Sequence, residues 1–293
     1  MFSFLITLLL CLISASSRVF LKKGFNQSNP VSGMVSSLWI GFLFLAAFAV
    51  PQIIIHLDDI LFYWKGLVFF AGIGLIAPPI VRYLTYIGID RLGVSRADPM
   101  RSVQPVFALV FSGLVLQEKL SPAIWIATFI ILYGVILIST NSFYFKFKFF
   151  DANNLYPLTA AILAGLVTNL RKMGIEILPY PLVGAFIASL SALIVFLLFV
   201  KIKKYKVSLE GSSKKFFLIS GFLTALTDVL DLVVLQVSKV SIVAPLLAAT
   251  PLFVVLLSAL FLKKEEKLSF KTILGAVLIF IGVQLVFREV VRS

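Results

Sequence analysis

Residues 94–121 read VSRADPMRSVQPVFALVFSGLVLQEKLS, and residues 240–269 read VSIVAPLLAATPLFVVLLSALFLKKEEKLS. The two stretches are one pattern written twice. At a constant shift of 146 places, Val94-Ser95 matches Val240-Ser241, Pro99 matches Pro245 and Pro105 matches Pro251. Phe107 likewise matches Phe253, and Ser112 matches Ser258. Two residues are then inserted, after which Glu118-Lys119-Leu120-Ser121 matches Glu266-Lys267-Leu268-Ser269, and Gly134 matches Gly282. An ordered set of this length marks an internal repeat, and a repeat sets the architecture before any single residue is weighed.

The solvent that the repeat needs follows from composition. Of 293 residues 60% are hydrophobic and 13% charged, with mean hydropathy +1.08. A soluble domain is about half apolar and roughly a quarter charged, so the chain is built for lipid. A spanning helix takes about 20 mostly apolar residues. Ten such stretches fall at 2–22, 31–55, 62–88, 94–116, 122–140, 155–175, 181–200, 215–237, 240–262 and 270–287. They are too long and continuous for the alternating ten-residue segments of a membrane β-barrel, so strands are not expected. The first stretch lacks a basic segment before it and is followed by Arg18, Lys22 and Lys23, which reads as a span and not a signal peptide. The connections are short, and no linker or tail is expected to hold a further domain.

Five spans fall in each repeat, 1–140 and 154–288. An odd number makes the second half enter the membrane from the opposite side. The expected fold is therefore all-α: ten transmembrane helices as two inverted five-helix repeats around a central cavity. Inverted repeats of this kind recur in secondary transporters, with the substrate at the midplane. Ten helices enclose a cavity without help, so the chain is expected to act as a monomer or homodimer.

The net charge of +13 would suggest nucleic acid in a soluble protein. Here most Lys and Arg cluster between apolar runs, as helix-end anchors do, and nucleic-acid binding is excluded. Connections after odd-numbered spans hold 17 Lys and Arg, the remaining connections and termini hold seven, and Arg82 and Arg101 complete the 26. The positive-inside rule then places both termini outside the cytoplasm. Cys11 and His56 are the only residues of their kinds, which excludes a disulfide within the chain and a Cys/His metal site. No cofactor is expected.

An ionisable side chain inside a span is costly and marks function by default. The deep ones are Arg82, Asp98, Arg101, Asp228 and Asp231. Arg18 and Arg171 lie nearer helix ends, where snorkelling to the headgroups accounts for them. Thr224, Thr227, Asp228 and Asp231 fall at i, i+3, i+4 and i+7, a polar stripe that cannot face lipid. The repeat shift makes Arg82 and Asp228 symmetry counterparts near the midplane. They are expected either to pair with each other or to take the two ends of a zwitterion, Arg82 the carboxylate and Asp228 the ammonium. Tyr86, one turn from Arg82, adds a stacking or hydrogen-bonding group. Asp98 and Arg101, at i and i+3, neutralise one another or serve substrate. Asp228 is the expected proton carrier. Pro99, Pro105, Pro245 and Pro251 remove helix hydrogen bonds, either as hinges or as static packing, and Pro78-Pro79 should bend the third helix before Arg82.

An apolar helix with Pro about a dozen residues before a Glu-Lys-Leu-Ser end, at Pro105 to Ser121 and again at Pro251 to Ser269, resembles the repeat unit of the EamA-type transporters of the drug/metabolite transporter superfamily. The resemblance spans both halves. It implies a multi-pass protein of the cell membrane that moves a small polar solute by alternating access; members carry amino acids, sugars, nucleotide sugars, triose phosphates and drugs. Relatives mostly keep both termini in the cytoplasm, against the charge count. Arg82, Asp98 and Arg101 together depart from the family pattern. A different reading takes Asp228-Val229-Leu230-Asp231 as a Mg²⁺-binding motif of an intramembrane enzyme acting on a lipid diphosphate. Such enzymes carry two acidic motifs, whereas this chain has one.

Overall fold

The computed structural model describes residues 2–25, 30–92, 97, 100–140, 152–205, 213–261 and 270–292, and every regular element among them is helical. In chain order these are α1 (Phe2–Phe25), α2 (Pro30–Ile55), α3 (Leu57–Phe62), α4 (Trp64–Ile76), a π-helical turn (Ala77–Val81), α5 (Arg82–Leu92), α6 (Gln104–Val115) and α7 (Pro122–Thr140). A 3₁₀ turn (Ala152–Asn154) then leads into α8 (Leu155–Ile177), α9 (Pro181–Ile202), α10 (Ser213–Val237), α11 (Val240–Leu247), α12 (Thr250–Phe261) and α13 (Phe270–Arg292).

Among the described residues seven helices are long and apolar enough to cross a membrane, and three further apolar helices, Gln104–Val115, Pro122–Ile138 and Val240–Val254, are shorter. Ten spans were expected from sequence, with Pro99, Pro105, Pro245 and Pro251 removing helix hydrogen bonds in two of them. The fourth and ninth stretches are broken, at Ser102-Val103 and Ala248-Ala249. The breaks sit 146 places apart, the shift of the repeat, and carry the same backbone bonds. Val103 N–H donates to Met100 O (3.4 Å) and Val106 N–H to Val103 O (3.0 Å); Ala249 N–H donates to Leu246 O (3.0 Å) and Leu252 N–H to Ala249 O (3.0 Å). The cause is chemical. Pro105 and Pro251 have no N–H to give to the carbonyls of Arg101 and Leu247, four residues back, and the chain tightens to i→i+3 bonds there. Thr250 Oγ1 supplies the missing donor to Leu247 O at 2.6 Å. In the third stretch, Pro78-Pro79 fall inside the π-helical turn that precedes Arg82, a second way of absorbing a lost donor.

The chain divides into two compact units, each drawing on both halves of the sequence. One comprises Met1–Cys11, Ile80–Leu170 and Val237–Ser293. In it, α7 and α13 pack backbone to backbone. A methyl group added at Gly134 would stand 2.6 Å from the Gly275 carbonyl oxygen, and one added at Gly275 would stand 2.6 Å from that of Gly134. Further along, a methyl at Gly282 would meet Ile131 and the Ala127 carbonyl oxygen (3.0 Å). Numbers fall on α13 as they rise on α7, so the two helices run antiparallel. The contact also repeats itself: at the 148-place shift that relates Gly134 to Gly282, Ala127 corresponds to Gly275 and Ile131 to Ile279, which a methyl at Gly134 would meet at 2.8 Å. In lipid, where burial of apolar surface drives little helix association, such small-residue contacts let dispersion forces and close packing act. The same unit ties the Glu-Lys-Leu-Ser end to a helix start. The Glu118 carboxylate accepts from the N–H of Val240 and of Ser241, each at 2.8 Å, and so caps α11 with a full negative charge at its positive end.

The other unit comprises Leu12–Pro79 and Arg171–Gln236. Here α4 and α9 run parallel, since Phe70 lies against Gly184 and Gly74 against Ala188. α2 and α10 do the same, with Ser37 against Gly221 and Gly41 against Ala225.

Candidate functional site

α8 and α10 bring three charges together. Six residues before its end, α8 presents Arg171, and α10 presents Asp228 and Asp231 one turn apart on one face. Arg171 Nη2 donates to Asp228 Oδ1 at 3.0 Å and Nη1 to Asp231 Oδ2 at 2.7 Å. The planar guanidinium fork suits two acceptors spaced by a helical turn. The three side chains are not equally covered: Asp228 keeps 38% of its surface accessible, Arg171 23% and Asp231 9%. Asp231 Oδ1 is buried and accepts no hydrogen bond. The neighbouring Lys172 turns elsewhere, its ammonium donating to Leu235 O at 2.8 Å and pairing with Glu176 at 3.2 Å.

This corrects the expectation for Arg171. It is not an anchor reaching for headgroups, because its charge is already matched by two carboxylates within the protein. Asp228 takes Arg171 as its partner, while Arg82 belongs to the other unit and forms no ion pair among the described residues. Arg82 opens α5 and is half-buried. Proximity to a helix end is a weak guide to where a long side chain goes. The stronger signal was the acidic pair itself: two carboxylates at i and i+3 in a span require a cation from a remote helix.

The polar stripe on α10 divides in its use. Thr227 Oγ1 donates back to Leu223 O at 2.8 Å. Thr224 Oγ1 lies 2.8 Å from Ser17 Oγ, which also stands 3.0 Å from Ser220 O and 3.1 Å from Ser220 Oγ. Ser17 was not singled out by sequence, since a serine in a span is unremarkable until its partner is known.

A second polar group gathers at the break in the other unit. Arg101 Nη1 donates to Gln104 Oε1 at 2.6 Å, and Gln104 Nε2 donates to Ala164 O at 3.4 Å. Gln104 occupies the repeat position of Thr250, so each break carries a polar side chain just before its proline. Pro105 and Pro245 are buried and Pro251 half-buried. Asp98, Pro99 and the side chain of Tyr86 lie outside the described residues, and so does the expected Asp98–Arg101 contact.

The enzyme reading gains nothing from this geometry. A Mg²⁺ motif needs carboxylate oxygens open to a metal and a diphosphate, whereas Asp228 and Asp231 each give an oxygen to a guanidinium.

Comparison with known proteins agrees with the fold. No curated protein matches the chain. A solved crystal structure matches 99% of this chain and 98% of its own, with TM-score 0.80 and 15% identity, a likeness of fold alone. The EamA-like transporter family matches residues 1–140 and 153–288, two copies that together span nearly the whole sequence. With its apolar helices this makes the protein an integral, multi-pass membrane protein that belongs to the EamA-like transporter family of the drug/metabolite transporter superfamily.

Proposed function

We propose that the protein is a secondary active transporter of a small polar metabolite, an amino acid or another zwitterionic or anionic solute, working by alternating access in the plasma membrane with proton coupling. The observation that carries this reading is the Arg171–Asp228–Asp231 cluster between two helices long and apolar enough to cross a membrane. Charges at such a depth cost several kcal/mol in a bilayer, on the order of 3 each on insertion scales, so they persist where they serve transport. Asp228, the more accessible carboxylate, is the group a substrate ammonium reaches, and Asp231 lies one turn further along. Arg82, Tyr86 and Arg101 are assigned to the anionic end of the solute. The two halves act as inverted repeats; the matching breaks and the reciprocal α7–α13 contact support that arrangement. Pro99, Pro105, Pro245 and Pro251 then serve as hinges, since a broken helix yields more easily than a continuous one.

The test is flux. Purified protein is screened for thermal stabilisation across a metabolite panel, and hits are assayed for uptake in proteoliposomes with and without a proton gradient. Asp228→Asn should fold and lose gradient-driven uptake, and Arg82→Gln should lose binding of carboxylate-bearing solutes. Normal uptake by both variants refutes the assignment.

A further inference from the structure

The charges of the α8–α10 cluster do not cancel. Two carboxylates face one guanidinium, which leaves one negative charge in excess. Among the described residues Arg171 is the cation in ion-pair contact with these two carboxylates. Lys172 is held by Leu235 O and Glu176. α2 carries no charged residue, and the one on α9, Lys201, lies in its last turn. The excess is not evenly placed. Asp228 has an accessible surface where water can reach it, whereas Asp231 is nine-tenths covered and its Oδ1 meets no donor. A buried ionised oxygen with no hydrogen bond costs far more than a buried neutral hydroxyl.

We infer that Asp231 Oδ1 is a proton-binding site, occupied while Arg171 bridges Asp231 to Asp228. The proton brings the cluster to zero net charge, and Oδ2 goes on accepting from Arg171. This rests on the transporter reading and changes one part of it: the coupling proton sits on Asp231, and Asp228 is left as the contact for a positively charged substrate group. Release is a simple transfer, in which the Asp231 O–H bond breaks, water takes the proton as hydronium, and the carboxylate is left with the electron pair. The cluster then carries one negative charge, which a substrate ammonium at Asp228 neutralises. Proton and ammonium are therefore alternatives, exchanged one for one. Movement of Arg171 between a two-carboxylate grip and Asp231 alone is the step that excludes holding both.

The experiment needs no substrate. Infrared difference spectra of the protein reconstituted in liposomes are recorded as pH is raised, following the C=O stretch of protonated carboxylic acids. The wild type should lose one such band; Asp231→Asn should lack it, and Asp228→Asn, whose cluster is neutral without the proton, should lose it at lower pH. A band retained in Asp231→Asn, a band missing only from Asp228→Asn, or no titrating band in the wild type overturns the site, as does a change that follows Na⁺ and not pH. Should Asp231→Asn not fold, Asp231→Glu keeps the acid and must displace the band. Proton-driven uptake by the wild type is measured separately, so loss of the band with uptake intact sinks this inference alone, and a band without any uptake sinks the transporter reading alone.

Discussion

Arg171 Nη1 lies 2.7 Å from Asp231 Oδ2, in a contact that joins α8 to α10 across 60 residues of sequence. Because its other nitrogen holds Asp228, one side chain ties two carboxylates to one helix. Removal of Arg171 leaves both without a counter-charge, and breaking a buried pair in this way costs about 3–5 kcal/mol. Arg171→Gln should lower the unfolding midpoint in detergent strongly. Arg171→Lys should restore less than half of the loss, since a point charge cannot serve two acceptors as a fork does. Equal stability of wild type and Arg171→Gln would show the cluster to be structurally idle.

Glycine-to-alanine substitution should have opposite outcomes at two positions, one inside the α7–α13 contact and one on α4. Gly134→Ala drives a methyl into the Gly275 carbonyl, a backbone atom that cannot rotate away, and overpacking of that kind costs about 1–3 kcal/mol. Gly72→Ala adds a methyl that meets nothing within 4 Å, and the gain in helix propensity should stabilise by up to about 1 kcal/mol. Thermal melts of the two variants side by side check the sign of each.

Glu118 caps α11 by accepting from two backbone N–H groups. Glu118→Ala leaves both donors unmet at the helix start, and loss of a charged cap costs about 1–2 kcal/mol. Glu118→Gln, which keeps one acceptor oxygen without the charge, should fall between. Faster amide exchange at Val240 and Ser241 in the alanine variant would locate the effect.

Topology follows from the basic residues. With Arg171 held between two aspartates, the connections and termini outside the odd-numbered set keep six Lys and Arg against 17. Both termini are expected outside the cytoplasm on this count. With Cys11, which is buried, replaced by Ala, Lys204→Cys should resist an impermeant thiol reagent on intact cells and react after permeabilisation. Labelling from outside would reverse the orientation.

The membrane class, the two halves and the positions of both helix breaks were legible in the sequence because each depends on local chemistry. Apolar length sets a span, a proline withholds a known hydrogen bond, and a shared shift exposes the repeat. Pro105 and Pro251 were read as removing helix hydrogen bonds, and the structure breaks the helices just before them, at equivalent positions. Arg82 and Asp228 were related by symmetry, which makes two positions equivalent without saying which side chains touch. Asp228 takes a partner from α8, and Glu118 from the start of α11. Spacing along one helix fixes which residues share a face, and so it found the Asp228–Asp231 stripe. Which two faces meet is set by backbone approach between helices remote in sequence, through contacts such as Gly134 with Gly275, and that was decided only by the tertiary structure.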